Sequence, residues 1–128
     1  MHKNYIPNAK DDINALSFLE RKDFAELEDM EIMCLLTWTQ DMHWDVSHGI
    51  AQYFLPRFAY IQQQIIEILQ SNDAEWKFNV LEFIVKGNEE KITVTELHDV
   101  IKNLAFTPTL FEVECEVDVI AKEILAKL

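Results

Sequence analysis

Glycine and proline are nearly absent from this chain, with two Gly and three Pro among 128 residues. An antiparallel sandwich or barrel needs a turn roughly every 8–12 residues, so the shortage excludes both and predicts an all-helical fold. It also excludes whole reaction classes. With Gly49 and Gly87 alone, neither GxSxG, GxxxxGK[ST] nor GxGxxG can be built, and no oxyanion elbow or phosphate-cradling loop is available. Cysteine is as scarce. Cys34 and Cys115 lie far apart with no CxxC and no His-spaced partner, a pattern that reads as two buried reduced thiols and implies no disulfide. Long apolar runs are missing too. Nothing approaches the ~18 uninterrupted apolar residues of a membrane span, and Met1-His2-Lys3-Asn4-Tyr5-Ile6-Pro7 has no apolar leader core. The expectation is a cytoplasmic chain with no membrane partner.

What is present is apolar and acidic. Hydrophobic residues make up 49% and aromatics 11%, enough to offset the entropy of ordering and to fold residues 1–128 as a single helical domain. Lys and Arg number 11 against 23 Asp and Glu, a formal charge of −12, and the excess is concentrated. Between Lys22 and Lys77 the single cation is Arg57, against ten acids. Such a field repels nucleic acid and anionic lipid. It suits a basic protein partner, whose candidate contacts are Glu26, Glu28, Asp29 and Glu31. A solvated face explains the same residues, and Glu28, Asp29 and Glu31 also sit where a helix N-terminus favours negative charge.

Matching apolar residues to i, i+3, i+4, i+7 places about seven helices. Asp11 or Asp12 caps the first, carrying Ile13, Leu16 and Leu19. Phe24 and Leu27 lead into the second, with Ile32, Leu35, Leu36 and Thr39 on one face. The third runs from about Asp45 to Phe54, and Gly49 inside it predicts close approach of a neighbouring helix. Pro56 suits the first turn of the fourth, whose stripe of Phe58, Ile61, Ile65, Ile68 and Leu69 faces away from Gln62, Gln63 and Glu67. Asn72 or Asp73 caps the fifth, apolar nearly all round and so the most buried, and Gly87-Asn88 stops it in a left-handed turn. Thr93 or Thr95 begins the sixth, which Pro108 ends. Helices three and four, and five and six, are expected to form hairpins. From Phe111 to Val119 apolar and acidic residues alternate strictly. With no second strand to pair with, the expectation is an extended approach over Phe111–Cys115 and a helix from about Glu116.

The two hairpins share a signature: Asp41-Met42-His43-Trp44-Asp45-Val46 and Asp73-Ala74-Glu75-Trp76-Lys77-Phe78. In each, Asp can cap a helix while Trp packs on the preceding hairpin, the organisation of HEAT-like antiparallel helical hairpins. These segments, with Gln40 and the tail Pro108-Thr109, Glu112, Glu114, Glu116 and Val117-Asp118, carry a resemblance over about Tyr5 to Leu125. The chain resembles the uncharacterised bacterial family known as domain of unknown function 5071. The resemblance implies a compact HEAT-like helical fold and brings no activity, cofactor or catalytic residue.

Candidate chemistry is sparse. Asp41, His43, Asp45 and His48 cluster near a helix start, yet histidines at i and i+5 do not share a face as the ligands of HExxH do. Capping or exposed histidines account for them, and His98 reads as a boundary residue. We therefore expect no catalytic residue, no metal and no cofactor, and a non-enzymatic module that binds another protein through its acidic surface. Toxin immunity is a concrete version of that function. Two alternatives belong to other classes: a metal-dependent enzyme using the Asp41–His48 cluster, or a small-ligand carrier with a groove of Trp44, Tyr53, Trp76 and Phe78.

Overall fold

The computed structural model describes residues 3–128. Among them are eight α-helices and no strand: α1 (Asn14–Arg21), α2 (Asp29–Leu36), α3 (Ser47–Phe54), α4 (Gln62–Leu69), α5 (Ala74–Val80), α6 (Thr95–Phe106), α7 (Leu110–Glu114) and α8 (Val117–Leu125). Short 3-10 turns precede α2, follow it, join α3 to α4 and lead towards α6. Helix α5 runs on as a π-helical stretch, Leu81–Val85, where the Lys86 N–H reaches the Leu81 carbonyl at 2.9 Å. No helix of the described residues is long and apolar enough to cross a membrane.

The core is where the periodicity predicts it. Phe54, Phe58, Ile61, Ile65, Leu81 and Ile84 are fully buried, joined by Leu97 and Ile101 of α6 and Ile120 and Ile124 of α8. Asp73 caps α5 by accepting from the Trp76 N–H at 3.0 Å. Gly87 ends the π stretch at φ 94°, the left-handed conformation that glycine adopts freely. Gly49 is the expected close approach: a Cβ built there would lie 2.4 Å from the Leu16 side chain of α1.

The all-helical class holds, while the pairing of helices three with four and five with six as HEAT-like hairpins is not confirmed. Helix α6 comes closest to α8 and α4, α8 also lies on α5, and α3 lies against α1, α2 and the π stretch. Gln62 ties α4 to the approach to α6. It belongs to the face expected to point away from the core, yet it is buried. Its Oε1 accepts from the N–H groups of both Thr93 and Val94 at 3.1 Å, and its Nε2 donates to the Thr93 hydroxyl at 3.1 Å. The apolar stripe says nothing about that bond set, which draws the approach to α6 onto α4.

Other expectations are corrected at the ends of elements. Neither Asp11 nor Asp12 caps α1; its N-cap is Ile13, and Asp12 instead accepts from the Asn8 N–H at 3.0 Å. Helix α3 starts at Ser47, whose hydroxyl donates to the Asp41 carbonyl at 2.7 Å, so Trp44 lies in the preceding turn while Trp76 lies in a helical first turn. The two Asp-Trp segments are thus not equivalent. Cys34 is exposed and Cys115 half-buried; both are free thiols.

The largest correction concerns Phe111–Cys115, which is not extended: Phe111–Glu114 belong to helix α7 and Cys115 to the turn that ends it. Thr109 caps α7: its hydroxyl accepts from the Glu112 N–H at 3.2 Å, and Glu112 Oε1 accepts from the Thr109 N–H at 2.8 Å. The alternation is even inverted in its burial, since Glu112 is buried while Phe111 and Val113 are exposed. Glu116, at φ 61°, breaks α7 from α8 in a left-handed conformation unusual for a side chain with a Cβ.

Candidate functional site

Glu28, Asp29 and Glu31 fall at the start of α2 and Glu26 in the 3-10 turn before it, but the four do not form one surface. Glu31 points inward. Its Oε1 accepts from the Glu28 N–H at 3.0 Å, its Oε2 accepts from the Tyr5 hydroxyl, and Lys3 Nζ stands 2.8 Å from the same oxygen. Lys3, then Tyr5, then the Glu28 N–H stabilise the anion and hold the Glu31 carboxyl down to about 2. This carboxylate fastens the N-terminal segment to α2 and is buried, so it drops out of any contact surface.

The other three remain exposed. Glu26 is 3.6 Å from Lys22, a solvent-screened pair four residues apart, and Asp29 accepts from Gln64 Nε2 at 3.3 Å. Among them stands Met30, 80% exposed, with Cys34 exposed one turn further on. The periodicity placed neither as a surface feature. Arg57, the single cation of this acidic stretch, is half-buried against Tyr53: one guanidinium nitrogen donates to the Tyr53 carbonyl at 2.7 Å and the group lies 4.0 Å from the Tyr53 ring centroid.

The aromatic groove does not assemble. Trp44 meets Trp38 edge-on at 5.6 Å. Trp76 packs towards α2, its indole N–H donating to the Thr39 hydroxyl at 2.9 Å. Phe78 is half-buried against the core, and Tyr53 lines a pocket of about 280 Å³ to which the other three do not contribute. In the Asp41–His48 cluster, Asp41 accepts from both the backbone N–H of His43, at 2.9 Å, and its ring Nδ1, at 3.1 Å. The His43 N–H, more than its ring, lowers the Asp41 carboxyl. Asp45 is exposed, and His48 sits edge-on to Phe83 at 5.2 Å. Among the described residues no three His, Cys, Asp or Glu side chains are grouped to hold a metal ion. His98 is half-buried beside Ile92 and Leu128.

Two features escaped the sequence reading. Lys77 Nζ meets Glu112 Oε2 at 2.6 Å with both side chains 8% exposed. Burial pushes the Glu112 carboxyl up, but Lys77 and the Thr109 N–H outweigh it and leave it below the usual range. The signal for this pair was Thr109-Leu110-Phe111-Glu112, a capping-box spacing overlooked beside the alternation. The second is the Tyr53 hydroxyl, buried with no hydrogen-bond partner, which no pattern of residue types encodes.

A family model described as Domain of unknown function (DUF5071) matches residues 5–125, and the chain belongs to that family. No curated protein matches the chain.

Proposed function

We propose that this member of the domain of unknown function 5071 family is a non-enzymatic protein-binding module whose contact surface is the first turn of α2. The observation that carries this reading is Met30, 80% exposed beside Glu28 and Asp29 and one turn from Cys34. An apolar residue that water can reach on nearly all sides, rimmed by carboxylates, has the composition of an interface centre and its polar edge. The partner is a basic protein with an apolar pocket or ridge for Met30. Charge steers its approach and Met30 supplies the desolvated contact. Toxin neutralisation is the narrower form of the same function, with a cationic toxin as partner.

A photo-crosslinker attached to Cys34 in a Cys115→Ala background tests it in host lysate. The expected adduct is one basic protein, lost when Glu26, Glu28 and Asp29 are changed to Lys and retained when Glu96 and Asp99 of α6 are changed instead. No discrete adduct, or an adduct indifferent to the α2 reversal, would overturn the proposal.

A further inference from the structure

Helix α7 turns its apolar side to water. Its one buried side chain is the acid, Glu112, while Leu110, Phe111 and Val113 are all exposed. At about 3.6 residues per turn, Leu110 falls opposite Glu112, with Phe111 and Val113 on the two flanks. The Thr109 cap and the Lys77 ammonium both hold Glu112, and this fixes the orientation: rolling α7 over to bury Leu110 would carry Glu112 away from both. Across the short Thr107-Pro108-Thr109 corner, Phe106 ends α6 and is exposed as well. Phe106, Leu110 and Phe111 are 67%, 72% and 72% exposed, which leaves roughly 400 Å² of apolar surface open at one corner of the molecule. Single exposed apolar residues are ordinary, but a patch of that size marks a contact site.

Charge narrows the occupant. Between Lys102 and Lys122 the chain has no Lys, Arg or His, against Glu112, Glu114, Glu116 and Asp118, and Glu114 and Glu116 are exposed. A second copy does not fit. A two-fold contact would set these carboxylates against themselves, and two such patches would bury only about 800 Å², short of the ~1,200 Å² at which specific interfaces begin. Anionic lipid is repelled by the same charge. An added strand would find no edge to pair with, since the described residues contain no strand and the α7 corner is helical. What fits is a segment that satisfies its own backbone and brings apolar and cationic side chains on one face.

We propose that the α6–α7 corner is a docking surface for a basic amphipathic helix of another protein. The apolar stripe of that helix covers Phe106, Leu110 and Phe111, and Lys or Arg along its edge faces Glu114 and Glu116. The corner shares no residue with the α2 surface, and neither depends on the other.

The probe is a synthetic peptide of leucine and lysine, about 18 residues long so that it holds a helix, with its leucines on one face. Titrated into the full chain and followed by amide chemical shifts, it is expected to give saturable one-to-one shifts at Phe106, Leu110, Phe111 and Glu114. A peptide of the same composition in scrambled order keeps the charge and loses the apolar face, and should bind at least about tenfold more weakly. Leu110→Ser and Phe111→Ser change side chains that stand in water, so the urea midpoint should stay near the parent's while the affinity falls roughly tenfold in each. Glu114→Lys with Glu116→Lys should weaken binding and reduce its dependence on salt. Met30→Ser should leave the affinity unchanged, which separates this corner from the α2 surface. The proposal is overturned by shifts centred elsewhere, by a scrambled peptide that binds as well, by an affinity indifferent to the α7 substitutions or to the charge reversal, or by one that falls in Met30→Ser. It is equally overturned if the corner takes another occupant: a dimer in sedimentation that Leu110→Ser makes monomeric, or phosphatidylcholine vesicles that bind the parent and not Leu110→Ser.

Discussion

The first turn of α2 and the first turn of α7 each carry a glutamate, Glu31 and Glu112, that folds back onto the backbone N–H three residues earlier and takes a lysine from a distant segment. The shared arrangement fixes an otherwise loosely held piece of chain: residues 3–8 in the first case and the five-residue α7 in the second. They differ in depth. The Lys3 side chain is half exposed, whereas Lys77 is as buried as its partner. In water and salt the first pair is held by attraction that ions can screen. The second depends on both charges being present, because either one alone would be stranded in the core. An acidic chain thus hides two of its carboxylates, and what each is worth depends on how much water reaches its lysine.

Removing the buried cation gives the largest effect. Lys77→Ala leaves Glu112 buried and uncompensated, and should lower stability by about 3–5 kcal/mol, read from the urea midpoint. The paired change of Lys77→Met with Glu112→Leu removes both charges at similar volume and should recover most of that loss. Lys3→Ala should cost far less. If Lys3→Ala and Lys77→Ala shift the midpoint equally, the contrast in depth between the two turns is wrong.

The same contrast marks what the sequence could and could not announce. Helices α3, α5 and α6 were legible because their apolar residues recur at helical spacing and Gly87 marks a stop. The tail misled because an alternation of apolar and acidic residues describes side-chain types, whereas the helix over Leu110–Glu114 is set by one cap, Thr109, and one buried acid. Glu31 misled for a related reason: a carboxylate in a helical first turn serves solvent, partner or backbone equally well by composition, and only the position of Tyr5 and Lys3 decides. Gln62 is the polar counterpart. Its amide satisfies the backbone of Thr93 and Val94, a match across thirty residues that no local pattern contains. Of the four candidate contact carboxylates Glu26, Glu28 and Asp29 are exposed and Glu31 is buried, while Met30 is invisible to the periodicity because it falls off the apolar stripe.

Acid titration separates the two turns next. Both carboxyls lie below their ordinary value of 4.5 in the folded chain, Glu31 at about 2. A folded value below the unfolded one means that each contribution is complete above about pH 4.5 and is lost as the pH falls through the folded value. The urea midpoint should therefore fall as pH drops from about 4.5 towards 2, and Glu31→Gln should flatten part of that slope. Added salt should shrink the Glu31 share, whose lysine is in water, and leave the Glu112 share nearly unchanged. An acid slope identical in parent and Glu31→Gln would remove Glu31 from the account.

The smallest change is Tyr5→Phe, which deletes one of the three donors to Glu31 and keeps the ring between Lys3 and Lys22, whose ammonium groups lie 6.0 and 5.1 Å from its centroid. The loss should be about 1.5 kcal/mol, the low end of the net value of a hydrogen bond to a charged group. It should also displace the acid slope to higher pH, since the Tyr5 hydroxyl ranks second, after Lys3, among the groups that hold the Glu31 carboxyl down. The α7 turn has no tyrosine in that place, since Glu112 is met by Lys77 and by Thr109 of its own cap. Tyr5→Phe should consequently shift only the salt-sensitive part of the acid curve. A shift in the salt-insensitive part would mean that the two turns are coupled through the core and do not act as separate fastenings.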